Sequence, residues 1–583
     1  MLNEYLSANA PLEDSARVSV LMQRVLETNA LHHWSATTPL PSDFLASSRQ
    51  PRILLIDERV RSEVDLDTPT RLRRQYFRAM LDAVRSTHPD ANCWLLQSGD
   101  PGAGAWLSSQ PGSPLTKVRR VPAGCSLHQV LRQVDRVYIV GASEGMAALL
   151  ADIPVHVFGS PYYAGWGLTH DQLSLPNRVA RPSLASLFKA AFLDAARYLD
   201  PTSHGPGTIE AVLDTVVLQH ETAVRFADLT PLAGIRFQWW KRPFATPFLV
   251  VGGGRLRWVK KPDDLQQGEC AVLWGARSAE GIPANSRRVR IEDGFLHSTG
   301  LGSDMTAPCS QVIDRCSLYF DPSEPSDLNR LLNQCTFTAE ELTRAAGLRA
   351  AIVRHGLTKY NLGRRAPAWC APHGRQVVLV TGQVADDASI RLGTRGIVTA
   401  EALLADVRAR RPNAFIVYKP HPDVLSGNRN GLIDAARLAD AVDMEADLIS
   451  LIDVVDEVHT LSSLAGFDAL LREKAVFTYG LPFYAGWGLT HDRLEQPFRE
   501  RRLTLDMLTA GVLLRYPIYW DWFLSLYTTP EAIVEQMAAR AARPLESIRG
   551  DRLRFIRKAF RWSRNAFMHA AWIMQNRSSD RNR

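Results

Sequence analysis

A chain of 583 residues is too long for one hydrophobic core and implies roughly three or four domains of about 150 residues each. Hydrophobic residues at 46% and charged residues at 22% are ordinary for a globular protein, and no apolar run reaches the ~18 residues of a membrane span. The opening MLNEYLSANAPLEDSAR is acidic where a signal peptide is basic, and the seven scattered cysteines form no CxxC pair; a cytoplasmic chain with reduced thiols is expected, without a disulfide frame, a metal site or a resident cofactor.

Residues 1–50 read as an N-terminal extension. Beyond them the chain repeats itself: FGSPYYAGWGLTHD at Phe158–Asp171 and YGLPFYAGWGLTHD at Tyr479–Asp492 agree at eleven of fourteen positions. The same register lays NCWLLQSGDP on NAFIVYKPHP, and DRVYIVGASEGMAALLADIPVHVFG on DEVHTLSSLAGFDALLREKAVFTYG. One unit therefore occurs twice, over roughly Ile53–Leu218 and Val377–Ala539. In the second copy VVLVTG, FIVYKP and VDEVHTL read as strands, with helices over Ala400, Leu403, Leu404 and Val407 and over SLAGFDALLRE. Short apolar strands alternating with helices indicate a parallel, Rossmann-like sheet.

The segment between the copies, Phe244 to about Ala366, occurs once. It reads as strands PFLVVGGG, ECAVLWGAR, RRVRIEDGF and CSLYFDP, then helices LNRLLNQ and AEELTRAAGLRAAIVRHG. The expected fold is α/β, with Rossmann-like lobes over 51–220, 240–366 and 370–540. The last two resemble one complete GT-B glycosyltransferase module, preceded by a single extra lobe, an analogy that does not itself establish activity.

A basic tail spans 545–583. From Arg549 onward it holds nine Arg and one Lys against two Asp, so the net +7 is concentrated there. Ile556, Phe560, Phe567 and Ala571 recur at helical spacing, with Trp562 and Trp572 nearby and Arg557, Lys558, Arg561 and Arg564 between them. Such a helix over 549–576 suits an anionic membrane surface. A helix packed on the body with a solvated basic face, or a nucleic-acid tail, are the alternatives.

Ligands of open α/β sheets sit beyond the carboxyl ends of the strands, so the polar residues there carry the functional reading. Gln383 and Asp386-Asp387 follow VVLVTG; a carboxylate here is a nucleophile, or it caps and solvates the loop. Lys419, His421 and Pro422 lie at the end of FIVYKP, where an imidazole can donate to a phosphate or be merely structural. Ser462-Ser463 precede a helix, either as an N-cap or as part of a phosphate site. Glu292-Asp293-Gly294, after RRVRI, offers a general base for an acceptor hydroxyl, or is simply an acidic turn.

The acidic-acidic-Gly turn, the HP pair and the serine pair, together with EDGFLHSTGLGS, GLTKYNLG (Gly356–Gly363), QxxxD and PFYAGWGLTHD, resemble the capsule polysaccharide β-Kdo transferases of the KpsC/LipA type. The resemblance covers about Ile53 to Ala539. It implies transfer of Kdo from CMP-β-Kdo, with retention, onto a lipid-linked, Kdo-containing acceptor in capsule assembly. On that basis Asp387 is the catalytic carboxylate, Gln383 orients it, and Glu292 is acid/base, with Asp293 the lesser candidate. His421, Pro422, Lys419, Ser462 and Ser463 would hold CMP. Partners would be the CMP-sugar, the glycan acceptor, the inner membrane and the capsule assembly proteins, with no nucleic acid. Rival readings are transfer from CMP-sialate or a UDP-sugar, and a non-catalytic scaffold.

Family members of this type carry two complete modules, and this chain has one and a fragment. In the first copy Asp100 stands for His421, Gly141 and Ala142 for the serines, Glu58 for Gln383 and Ser62 for Asp387, so that copy is expected to be inactive.

Overall fold

The computed structural model describes residues 2–7, 15–32, 38–62, 68–109, 118–251, 254–300, 305–425, 434–544 and 553–581. These divide into two compact units, Met1–Asp228 and Leu229–Arg583.

In the first unit a parallel sheet runs in the spatial order Arg119–Arg120, Asn92–Gln97, Arg52–Asp57, Arg136–Ile139, Val155–Val157, His170–Asp171. Numbered along the chain that order is 3-2-1-4-5-6, the Rossmann arrangement, whose ligand crevice opens between strands 1 and 4 where the order reverses. The first strand is buried on both faces, which its RILLID composition requires. The N-terminal residues are more than an extension. Val18, Leu21 and Val25, spaced three and four apart on the helix Ser15–Glu27, are buried in the core with Ile56, Met146 and Trp166.

The second unit contains a sheet of the same order: Ala441–Val442, Phe415–Lys419, Val377–Thr381, Glu457–Thr460, Ala475–Thr478, His491–Asp492, again parallel throughout. Its other sheet runs Leu256–Val259, Leu232–Ile235, Cys270–Trp274, Arg288–Asp293, Ser310–Asp314, Ile518–Asp521, Leu526–Thr528. The first four strands are parallel and the rest antiparallel.

Two expected strands are absent here. The first three residues of PFLVVGGG, Pro247–Leu249, instead end the helix Arg242–Leu249, in which Pro243 at the first turn presets helical φ and Phe244, Ala245, Phe248 and Leu249 share one buried face. CSLYFDP is a turn, and the preceding SQVID forms the strand. The bounds 240–366 and 370–540 also shift. Leu232–Ile235 already belongs to the first of these lobes, and the chain returns to it with Ile518–Asp521. The helix Pro530–Ala541 then buries Ile533, Val534 and Met537 beside Leu348 and Ile352. The C-terminal helix Leu553–Arg581 lies on Trp239–Lys241 and Arg242–Leu249, with the rings of Trp562 and Trp239 edge-on at 5.1 Å. Ile556, Phe560, Phe567 and Met574 point away from the body, each more than 60% exposed.

The duplicated AGWGLTHD loop is built identically in both units. Tyr163 Oη donates to Ala142 O (2.7 Å) and Tyr484 Oη to Ser463 O (2.6 Å), tying each loop beneath the helix after the fourth strand. Trp166 Nε1 and Trp487 Nε1 donate to the carbonyls of Tyr162 and Phe483. Asp171 and Asp492 accept from the N–H of Gly165 and Gly486, whose φ values of 78° and 82° suit glycine. A Cβ at Gly145 or Gly466 would collide with the phenol of Tyr163 or Tyr484, and both rings are fully buried. Gly145→Ala and Gly466→Ala should therefore each destabilise the protein by about 1–3 kcal/mol in urea unfolding, by the overpacking of a filled core. A cost confined to one copy would contradict a shared structural role for the loop.

Candidate active site

Both lobes of the second unit line a cavity of about 720 Å³. It lies over the order reversal of the parallel sheet, between the ends of Val377–Thr381 and Glu457–Thr460. Glu292, Asp293, Gln383, Asp387, Lys419, His421, Pro422, Ser462 and Ser463, all expected from the sequence, lie on its wall.

Asp387 is the N-cap of the helix Ala388–Gly393. Its Oδ1 accepts from the Ser389 N–H (2.8 Å) and the Ser389 hydroxyl (2.7 Å), so the capping and the cleft-facing readings of this carboxylate both hold. Gln383 does not reach Asp387 directly. Its Nε2 donates to Ser389 Oγ (2.8 Å) and Ser462 Oγ (3.1 Å), and its Oε1 accepts from the Ser462 N–H (3.3 Å). Ser389 is therefore the hub, receiving from Gln383 and donating to Asp387. Sequence reasoning missed it, although serine two residues after an acidic N-cap is the detectable signal.

The serine pair is not the helix cap. Leu464 takes the N-cap position of Ala465–Leu471, while Ser463 donates its N–H to Thr460 Oγ1 (3.1 Å) and accepts from Ala465 N (3.3 Å). His421 Nδ1 accepts from the Asp423 N–H (3.1 Å), which in the neutral ring leaves the proton on Nε2. Lys419 is buried at its strand end, and burial pulls its ammonium down to about 8 against the opposing charges of Asp443, Asp447 and Glu445.

On the opposite lobe Glu292 and Asp293 end the strand Arg288–Asp293. Burial and then the adjacent Asp293 charge push the Glu292 carboxyl up, so it retains its proton at higher pH than an ordinary glutamate. Asp293 behaves oppositely. Burial raises it, but His297, whose Nε2 is 3.3 Å from Asp293 Oδ2, together with Lys241 and Lys359, holds it well below the usual range. An acid with a raised affinity for its proton beside one with a lowered affinity is a pair suited to proton transfer.

The corresponding place in the first unit is filled by its own side chains. Glu58 Oε1 accepts from the N–H groups of Val140 (3.0 Å), Gly141 (2.7 Å) and Ala142 (3.2 Å), and its other oxygen pairs with buried Arg73. Asp100 accepts from Ser143 N–H (2.7 Å), and buried Glu144 accepts from Ser98, Gly99 N–H and His32. Ser62 ends a strand, Arg59–Ser62, paired with Gly102–Trp106, where the second unit has the helix begun by Asp387. The backbone donors that could face a ligand are thus occupied by carboxylates.

The fold and the cleft define a protein with a two-lobed Rossmann-type unit whose paired acids face a capped aspartate, preceded by a lobe of the same topology with a self-filled crevice. The family model described as capsule polysaccharide biosynthesis protein matches residues 57–198 and 269–519, and the chain belongs to that family. It is 36% identical over 541 residues to "Capsule polysaccharide modification protein LipA" of Neisseria meningitidis serogroup B, covering 87% of this chain and 74% of the relative. To "Lipopolysaccharide-processing protein LpsZ" of Rhizobium meliloti it is 43% identical over 259 residues, 42% of this chain and 59% of that one. Among solved structures, "Thermosulfurimonas dismutans KpsC, beta Kdo 2,4 transferase" aligns at 29% identity with a TM-score of 0.48, over 53% of this chain and 98% of its own.

Removing the Glu58 carboxylate would strand three backbone donors and a buried guanidinium. Glu58→Ala should destabilise the first unit by about 3–5 kcal/mol. Gln383→Ala opens onto a solvent-filled cleft and should shift unfolding by less than about 1 kcal/mol. Equal losses in denaturant unfolding would contradict the contrast between a filled and an open crevice.

Proposed function

We propose that the second unit transfers Kdo from CMP-β-Kdo, with retention, onto a lipid-linked, Kdo-containing acceptor during capsular polysaccharide assembly. The observation that carries this reading is the Gln383–Ser389–Asp387 chain at the order reversal of the sheet, facing Glu292 across one cavity, in a chain 36% identical to a capsule polysaccharide modification protein.

Asp387 attacks C2 of the sugar with its second oxygen, while Ser389 fixes the first. The C2–O bond to the CMP phosphate breaks as the C2–carboxylate bond forms. In the second step the acceptor hydroxyl passes its proton to Glu292, and its oxygen displaces Asp387. Two displacements return the original configuration, which is why a retaining transferase needs both a nucleophilic and an acid/base carboxylate. His421, Lys419 and the Ser462 hydroxyl hold the phosphate, with Ser463 and Pro422 forming the wall beside it. Glu292 suits its role because burial beside Asp293 raises its affinity for a proton. The first unit serves as a structural or docking lobe.

The exposed Ile556, Phe560, Phe567 and Met574 on a helix interspersed with arginines fit the headgroup region of an anionic bilayer, which would place the enzyme on the cytoplasmic face of the inner membrane beside a lipid-linked acceptor. No helix among the described residues is long and apolar enough to cross a membrane.

With CMP-Kdo and a Kdo-terminated glycolipid, Asp387→Ala should reduce transfer by more than about a thousandfold, the scale of losing a catalytic nucleophile. Asp100→Ala should stay within about twofold of the parent protein. Comparable losses from both, followed by mass spectrometry of the product, would refute the assignment of chemistry to the second unit. Turnover only with CMP-sialate or a UDP-sugar would refute the donor.

A further inference from the structure

One cation of the cleft, so far described only as a neighbour that lowers the Asp293 carboxyl, has no part yet in holding substrate. Lys359 lies in the GLTKYNLG segment and lines the cavity on the same side as the acid pair. Among the described residues no hydrogen bond or ion pair engages its ammonium, and Nζ stands 5.8 Å from the centroid of the Tyr360 ring. Burial works against its charge, but Tyr360, Tyr319, Asp293 and Glu292 around it hold the ammonium protonated, so it enters the cleft as a cation able to receive an anion.

Its position is fixed from behind. Ser298 N–H donates to Lys359 O (3.1 Å) and Gly300 N–H to Tyr360 O (2.8 Å), so the segment is tied to the turn that follows the acid pair. Asn361, buried and with φ at 47°, donates to Ser298 O (3.0 Å) and accepts from the Thr358 N–H (2.9 Å). A side chain presented from a backbone held this way is preorganised for binding.

It shares one cavity with Asp387 and Glu292 and the interval between them. The charges of Glu292 and Asp293 act on Lys359, and the adjoining Tyr319 and Tyr360 feel Asp387 and Asp293 together. The sugar must occupy that interval if Asp387 attacks it and Glu292 serves the acceptor. The cleft wall as a whole carries eight Asp or Glu against four Lys or Arg. Of those four, Arg365 is paired with Glu445, Lys419 sits among Asp443, Asp447 and Glu445, and Arg391 is on an exposed helix turn. An anionic sugar entering so acidic a cleft needs a dedicated cation at its own end.

We infer that Lys359 is the counter-ion for a carboxylate borne by the sugar, and that it selects acidic sugars over neutral ones. The inference rests on reading the cleft as a CMP-sugar site and adds the residue that distinguishes one class of sugar from another. The same ammonium could meet the carboxylate of the transferred sugar or that of an acidic acceptor residue, and the interval it occupies favours the transferred one.

The test uses full-length Asp387→Asn protein, which binds without turnover, and calorimetry with CMP-Kdo and with CMP. In that background Lys359→Met should weaken CMP-Kdo binding by about ten- to a hundredfold, the scale of a lost charged contact, while CMP binding moves less than about twofold. Lys359→Arg should restore most of the affinity, which a folding defect would not allow. If CMP-Kdo binding is unchanged but Lys359→Met in the Asp387 parent raises the KM for a Kdo-terminated acceptor about tenfold, the carboxylate recognised is the acceptor's. If neither quantity moves, or if CMP and CMP-Kdo weaken equally, Lys359 does not read a sugar carboxylate and the inference falls. Failure of the Asp387→Asn protein to bind CMP at all would instead overturn the CMP-sugar reading, and this inference with it.

Discussion

Backbone N–H groups that emerge past the fourth strand of a Rossmann sheet have no strand partner and must find acceptors elsewhere. The two halves of this chain solve that constraint differently. In the second unit the Ser462 N–H meets the neutral amide of Gln383, which also binds Ser389 and so positions Asp387. In the first, the N–H groups of Val140, Gly141 and Ala142 converge on the Glu58 carboxylate, whose other oxygen is neutralised by Arg73. A carboxylate in this place does what a bound phosphate would do, and it cannot leave. The carboxylate at the end of the first strand, with Asp100 and Glu144 beside it, thus separates a closed crevice from an open one.

The rest of the second unit follows from keeping that crevice open. The neighbouring sheet supplies Glu292 and Asp293, and their unequal hold on a proton comes from burial and from His297. The chain's return through Ile518–Asp521 and Pro530–Ala541 ties the lobes into one unit, with Met537, Leu348 and Val458 in a shared core. The repeated loop is built alike in both units, its tyrosine anchoring the helix beside the crevice and its tryptophan closing its own turn, while in the second unit Leu481, Pro482 and Phe483 also line the cavity.

Much of this was legible in the amino-acid order. Continuous apolar strands such as VVLVTG and FIVYKP announce a sheet buried on both faces, and the register of the repeat aligned Glu58 with Gln383 and Asp100 with His421 before any coordinate was known. What was not legible depended on long-range partners. PFLVVGGG is as apolar as a strand, yet its first three residues finish a helix that begins at Arg242-Pro243 and packs Phe244, Ala245, Phe248 and Leu249 on one face. The helix Ser15–Glu27 carries its apolar stripe openly, yet nothing local says that the core it completes begins with Arg52–Asp57. Nor could spacing tell that Gln383 acts through Ser389, because that contact is made by side chains brought together by the cap of a six-residue helix.

The central claim is that one of two lobes of common topology binds the nucleotide and that the other is filled by its own carboxylates. A crystal structure of the full chain with CMP tests it most directly. The account predicts one nucleotide, its phosphate against His421 and Ser462, with Glu58 still bonded to Val140, Gly141 and Ala142. A nucleotide seated against Asp100 and Gly141, with Glu58 displaced, would contradict it.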